Sequence, residues 1–263
     1  MSLPRAKGTG AGERKAGMAR LRDRQPDTAK REPPYRSIME LTEEERQRLA
    51  EKIGALQNYN PVVLREMARQ DRRFLAPLIM SILSAEFRGI DFFGRFVVET
   101  QDYNVPWHMT LGFARQTFDE SRHTLLNMKL LEHLGSYLGE YPDIILGPPP
   151  GQEIPAEELD PAVLLARVNV ALEGFALTTF EEIRALAKEL GEELIEHCHD
   201  YNMADEVTHV GLGDFWLEKL SQIEPWRRER AIAAQQQFEV GLAMVRKMAQ
   251  ALLGASTPPT AGQ

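Results

Sequence analysis

Three glutamate–histidine pairs in this chain stand at the i, i+3 spacing that sets both side chains on one helix face, about a turn apart, where they can grip one metal ion: Glu120/His123, Glu196/His199 and Glu206/His209. One such pair is common on a solvated helix, so geometry must separate them. In an antiparallel helix hairpin, residues equidistant from the turn share a height. A turn near Tyr103 sets Glu86 level with Glu120, 34 residues later, and a turn near Leu190 sets Glu173 level with Glu206, 33 residues later. Four carboxylates and two histidines then converge on one layer. Glu86 shares its face with Ile79, Ile82, Leu83, Ile90 and Phe93, and Glu173 with Val170, Ala176, Leu177 and Phe180, so the acids point into the core. Unpaired buried acids cost several kcal/mol each. Two divalent cations remove that cost.

The third pair tests the geometry. Glu196/His199 lies ten residues from Glu206, about 15 Å along a helix rising 1.5 Å per residue. There the first hairpin offers Phe96 and Thr110, or Ala76 and Leu130, none of them ligands. His197 and His199 also diverge, since i and i+2 point to different sides. This pair is expected at the surface.

An oxygen-rich set with two histidines and open positions suits iron, with manganese as the alternative, better than zinc or calcium. The single cysteine, Cys198, excludes a disulfide framework and any four-cysteine metal site. Two metals about 3.5–4 Å apart can bridge a substrate oxygen. At i−7, i−4 and i−3 from Glu120 stand Phe113, Gln116 and Thr117, the candidate lining of a pocket.

The ordered set Glu86, Glu120 with His123, Glu173, and Glu206 with His209 resembles the ferritin-like di-iron carboxylate proteins over about residues 73–221. The likeness extends to "DESRH" and "DEVTH", where an Asp precedes the ligand Glu, as in the oxygenase and reductase branches. A metal-bound imidazole needs its second N–H held, so Asp119 is assigned to His209 and Asp205 to His123, with Arg122 balancing their charge. The resemblance implies two iron ions, O2 as co-substrate and oxidation of a small organic substrate by a di-iron oxidase or oxygenase. A ferroxidase or peroxide-detoxifying iron binder, and a metal-stabilised structural bundle, are the alternatives. A ribonucleotide reductase subunit would need a tyrosine at the metals, whereas the nearest, Tyr201, lies well around the helix from Glu206. Arylamine N-oxygenases carry a histidine where this chain has Asn202, and rubrerythrins carry cysteines this chain lacks. With no cysteine cluster and no glycine-rich dinucleotide fingerprint, electrons must come from an external donor, a ferredoxin or flavin reductase, or from the substrate.

The elements that must position these residues are helical nearly throughout. Thr42 with Glu45 forms a capping box before one short helix, and Asn60–Pro61 opens another running to Arg72. Long helices are predicted over 73–100, 105–134, 161–190 and 192–221, with a further one over 225–252. The short link "QDYNVP" and the break at Gly191 make two antiparallel hairpins. A proline-rich stretch over 135–160 between them suits a long crossover outside a bundle. The predicted fold is all-α: a ferritin-like four-helix bundle of two hairpins with accessory helices at both ends, over 41–254.

Residues 1–36 carry ten Lys/Arg against four Asp/Glu, and the rest 21 against 35. Residues 1–40 and 255–263 are therefore read as disordered tails, and the acidic body is not built for nucleic acid. No run approaches the roughly 18–20 continuous apolar residues of a span. The expectation is a cytoplasmic protein, off the membrane, with a homodimer as the candidate assembly.

Overall fold

The computed structural model describes residues 36–103, 105–144 and 160–254. Residues 1–35, 255–263 and the crossover portion 145–159 lie outside the described residues. Among those described there are seven principal helices and no β-strand. They are α1 (Glu43–Ile53), α2 (Pro61–Gln70), α3 (Leu75–Glu99), α4 (Trp107–His133), α5 (Pro161–Leu190), α6 (Glu193–Ile223) and α7 (Trp226–Gly254).

Local chemistry sets their ends. Thr42 and Glu45 cap α1 reciprocally, and the Asn60 side chain accepts from Val62 N–H at the start of α2. Helix α2 stops at Gln70, short of the expected Arg72, because the Asp71 carboxylate takes Arg73 N–H and starts a separate 3₁₀ turn. Gly191, at φ 71°, ends α5 in the left-handed conformation a glycine adopts without strain.

Helix α3 packs along α4, α5 along α6, and α4 also meets α6, while α7 lies over the first half of α5. A large apolar cluster joins α1–α3 to the distal halves of α4 and α5 through Leu64, Ile79, Leu83, Leu131, Phe180 and Ile183. A second, built on Phe93, Phe96, Met109 and Phe113, meets Leu164, Leu165 and Val168 of α5. The layer carrying the acids lies between the two clusters.

Three findings differ from the sequence reading. Helix α5 is not uniformly α-helical: Leu165–Leu172 is π-helical, directly before Glu173. By length and a mean hydropathy of 1.4, α5 also matches a membrane span, although no continuous apolar run marked it. Its apolar side chains go into both core clusters, which accounts for that composition without a bilayer. Finally, Arg36–Glu40, assigned by composition to the tail, are anchored. Asp143 N–H donates to Arg36 O at 2.7 Å, Ile38 N–H donates to Asp143 O at 3.1 Å, and Ile38 is buried.

Candidate metal centre

Glu86 from α3, Glu120 and His123 from α4, Glu173 from α5, and Glu206 and His209 from α6 are all buried and brought together. Their donor atoms form two overlapping sets within 4.8 Å: Glu86, Glu120, His123 and Glu206, and then Glu120, Glu173, Glu206 and His209. Glu120 and Glu206 belong to both. Each set has three carboxylates and one imidazole and could hold a metal ion.

Room for this layer is made on α3. A Cβ at Gly89 would fall 2.6 Å from Glu120 Oε2, 2.7 Å from Cδ and 2.8 Å from Cγ, so the glycine lets the Glu120 side chain lie against the α3 backbone. Gly213 does the same on α6, where a Cβ would meet Asn169 Cβ of the π segment at 2.7 Å. Asn169 Nδ2–H donates to His209 O at 3.3 Å, tying that segment to the histidine-bearing turn.

Both imidazoles are held from behind. His123 Nε2 lies 3.3 Å from Asp205 Oδ2 and His209 Nε2 lies 3.2 Å from Asp119 Oδ2, so each aspartate meets the histidine of the opposite hairpin. Arg122 donates to Asp119 at 2.5 Å and to Asp205 at 2.8 Å, which places it between the two carboxylates. Arg115, not singled out in the sequence, donates to Asp119 at 3.2 Å and approaches Asp205 at 3.5 Å. Its i, i+4 spacing to Asp119 was the available signal. With arginines donating to them, the aspartates act as acceptors, so each Nε2 carries its hydrogen and each Nδ1 turns to the acids. His123 Nδ1 sits 3.0 Å from Glu86 and 3.1 Å from Glu206, and His209 Nδ1 sits 2.8 Å from Glu206.

The electrostatics show a crowded cluster. Burial, then the neighbouring carboxylates, push Glu120 and Glu173 well above the usual carboxylate range. Burial works the same way on Glu206, but hydrogen bonds from His123 and His209 hold it at about 2. Burial opposes charge on His123, yet Glu206 and Glu86 raise it to about 10; His209 also rises against burial, through Glu206 and Asp119. Asp119 resists its own burial through hydrogen bonds from His209 and Arg122 and lies below its ordinary value. Protons, or metal cations in their place, must balance this set.

The candidate pocket residues are placed unequally. Phe113 is buried in the aromatic cluster, with its ring 5.5 Å from Phe96. Thr117 Oγ1–H is spent on Phe113 O at 2.9 Å. Gln116 is buried with neither amide atom hydrogen-bonded to the protein. Asn169 Oδ1 shares that condition.

The expectation that His199 is a surface residue is wrong. It is fully buried, with Nδ1 2.9 Å from Ile195 O and its ring edge-on to Phe180 at 5.7 Å, while His197 is exposed. His199 stands seven residues before Glu206, two turns along the same inward face. It joins neither donor set. Compared with protein-family models, curated proteins and solved structures, the chain has no match in any of the three.

Proposed function

We propose that this chain is a non-haem di-iron oxidase or oxygenase of ferritin-like four-helix architecture, in which α3, α4, α5 and α6 form the bundle and a small organic molecule is oxidised with O2. The observation that carries the reading is the pair of donor sets sharing Glu120 and Glu206, each completed by an imidazole whose far nitrogen is held by an aspartate. The residues fit the group: carboxylate-rich donors with one nitrogen each match iron or manganese, and two cations would replace the protons that Glu120 and Glu173 otherwise hold. In this reading Glu120 and Glu206 bridge, Glu86 and His123 complete one site, and Glu173 and His209 complete the other. Bound ferrous iron would supply the two-electron reduction of O2 that turns it into an oxidant for a C–H or N–H bond. The chain's own part is positional. Asp205 and Asp119 fix the imidazole tautomers, Arg122 and Arg115 balance the aspartates, and the apolar clusters on either side keep water from the layer. Gln116, a turn before Glu120, has a free amide to orient a polar group of the substrate.

The test is metal content followed by O2 uptake. Anaerobic Fe(II) titration should saturate at two ions per chain, and His123→Ala and His209→Ala should each lose at least one, whereas His199→Ala keeps two. The loaded protein should consume O2 repeatedly with a chemical reductant or an added ferredoxin or flavin reductase, and not with NAD(P)H alone. Saturation at zero or one ion refutes the centre. Loading far beyond two ions would mark an iron-storage role, and bound but O2-inert metal a structural one.

A further inference from the structure

Beyond the buried layer, the outer faces of α4 and α6 carry a pattern that the fold itself leaves without a partner. On α4, Leu111, Phe118 and Leu125 follow at seven-residue intervals and are 55%, 64% and 61% exposed. On α6, Tyr201, Val207 and Phe215 are 48%, 60% and 52% exposed, with exposed Ala204 and Gly211 between them. The two helices are neighbours, since Arg122 of α4 reaches Asp205 and Tyr201 of α6 and lies over the rings of both Phe118 and Tyr201 at 5.4 and 5.1 Å. The stripes therefore form one continuous face. A repeat of seven is the signature of a seam between helices. Exposed side chains of this size present roughly 100 Å² apiece, so the face approaches the ~800 Å² per partner of a specific interface.

Charge says what covers it. The exposed flank of α4 is basic, with Arg115, Arg122 and Lys129, although Lys129 also reaches Glu132 at 2.7 Å. The exposed flank of α6 is acidic, with Glu193, Asp200, Asp214 and Glu218. One chain thus offers both halves of a complementary pair, side by side. Within the chain, α4 and α6 run antiparallel with Asp119 level with His209 and His123 level with Asp205. A two-fold axis parallel to the helices keeps those levels while laying α4 of one copy on α6 of the other. Arg115 then meets Asp214, Lys129 meets Asp200, and the aromatic residues of each face fill the other. An axis perpendicular to the helices would set α4 on α4 and like charges together.

We infer that the exposed α4/α6 face is the interface of a two-fold homodimer, pairing α4 of each copy with α6 of the other. The interface closes over Arg122, which is partly exposed in the single chain, and so dries the outside of the aspartate cage that holds the two imidazoles.

Sedimentation equilibrium of the full chain over 1–100 μM, an interval spanning ordinary dimer affinities, decides it. The expected species is a dimer of the 29.8 kDa chain. Phe118→Glu should yield a monomer with unchanged helix content, and Leu125→Glu gives the same reading should the first variant fold poorly. Lys129→Glu and Asp200→Lys should each weaken the dimer at least tenfold, and the double variant, which restores the opposite-charge pair, should recover most of that loss. A wild-type monomer throughout overturns the inference. So does a dimer untouched by both Phe118→Glu and Leu125→Glu, or a double variant no tighter than the singles.

Discussion

Replacing Gly89 by alanine adds one methyl group where Glu120 passes closest to the α3 backbone. The new Cβ would lie 2.6 Å from Oε2, 2.7 Å from Cδ and 2.8 Å from Cγ of Glu120. Ordinary carbon–carbon contact is about 3.5–4.0 Å, so the Glu120 side chain must retreat by ~0.8 Å from Cγ outward, not merely turn its carboxylate. Overpacking of this kind costs about 1–3 kcal/mol, and the gain of alanine over glycine in a helix offsets up to ~1 kcal/mol of it. Folding should therefore weaken by no more than ~2 kcal/mol. Metal binding should suffer more, because Glu120 belongs to both donor sets. Displacing a ligand's support typically lowers affinity by about 10- to 100-fold, and here both ions should weaken together. The control is Gly174→Ala, beside Glu173, where a Cβ meets nothing within 4 Å. It should keep metal affinity and gain up to ~1 kcal/mol of stability. Chelator-competition titration with Fe(II) or Mn(II), alongside denaturant melts of the metal-free proteins, separates the two effects. Wild-type affinity for two ions in Gly89→Ala would refute the geometry.

His199 makes stability depend on pH. Burial holds it at about 4 against an ordinary 6.5, so the unfolded chain takes a proton before the folded one does, and its contribution, complete above pH 6.5, is lost as the pH falls toward 4. At about 1.4 kcal/mol per pH unit the loss reaches ~3 kcal/mol, and His199→Gln should lack it; parallel stability curves for the two proteins from pH 7 to 4 would contradict this. Asp205→Asn and Asp119→Asn change the acceptors behind His123 and His209 without touching a ligand, and each should lower metal affinity by about 10- to 100-fold. Unchanged chelator-competition curves would show that the imidazoles need no such support.

The hairpins and the acid layer were legible because each ligand glutamate sits on an apolar stripe and its distance from a turn fixes its height. Asp119 and Asp205 were legible for a related reason: a residue just before a ligand on one helix points toward the neighbouring helix. His199 was misplaced because only missing ligand partners were weighed at its height, while its two-turn spacing from Glu206 already set it on the inward face. The π segment left no mark, since Leu165–Leu172 is an apolar run equally compatible with α-helical bonding, and i→i+5 hydrogen bonds require no particular side chains. Arg36–Glu40 escaped notice because what orders them is backbone pairing with Asp143, more than a hundred residues away, which composition cannot reveal.

Neither hairpin owns a complete donor set. Glu86, Glu120 and His123 lie on α3 and α4, and Glu173, Glu206 and His209 on α5 and α6, yet each set borrows one shared carboxylate across the divide. A cation captured by one hairpin alone would find three donors, and the fourth arrives only when the halves dock. Any metal held there thus binds the docked state in preference to the parted one and acts as a thermodynamic clasp. At a free concentration a hundred times its dissociation constant, each ion adds about 2.7 kcal/mol against separation. Cellular metal supply would then govern not only the chemistry of the layer but how long the two halves of the chain stay joined.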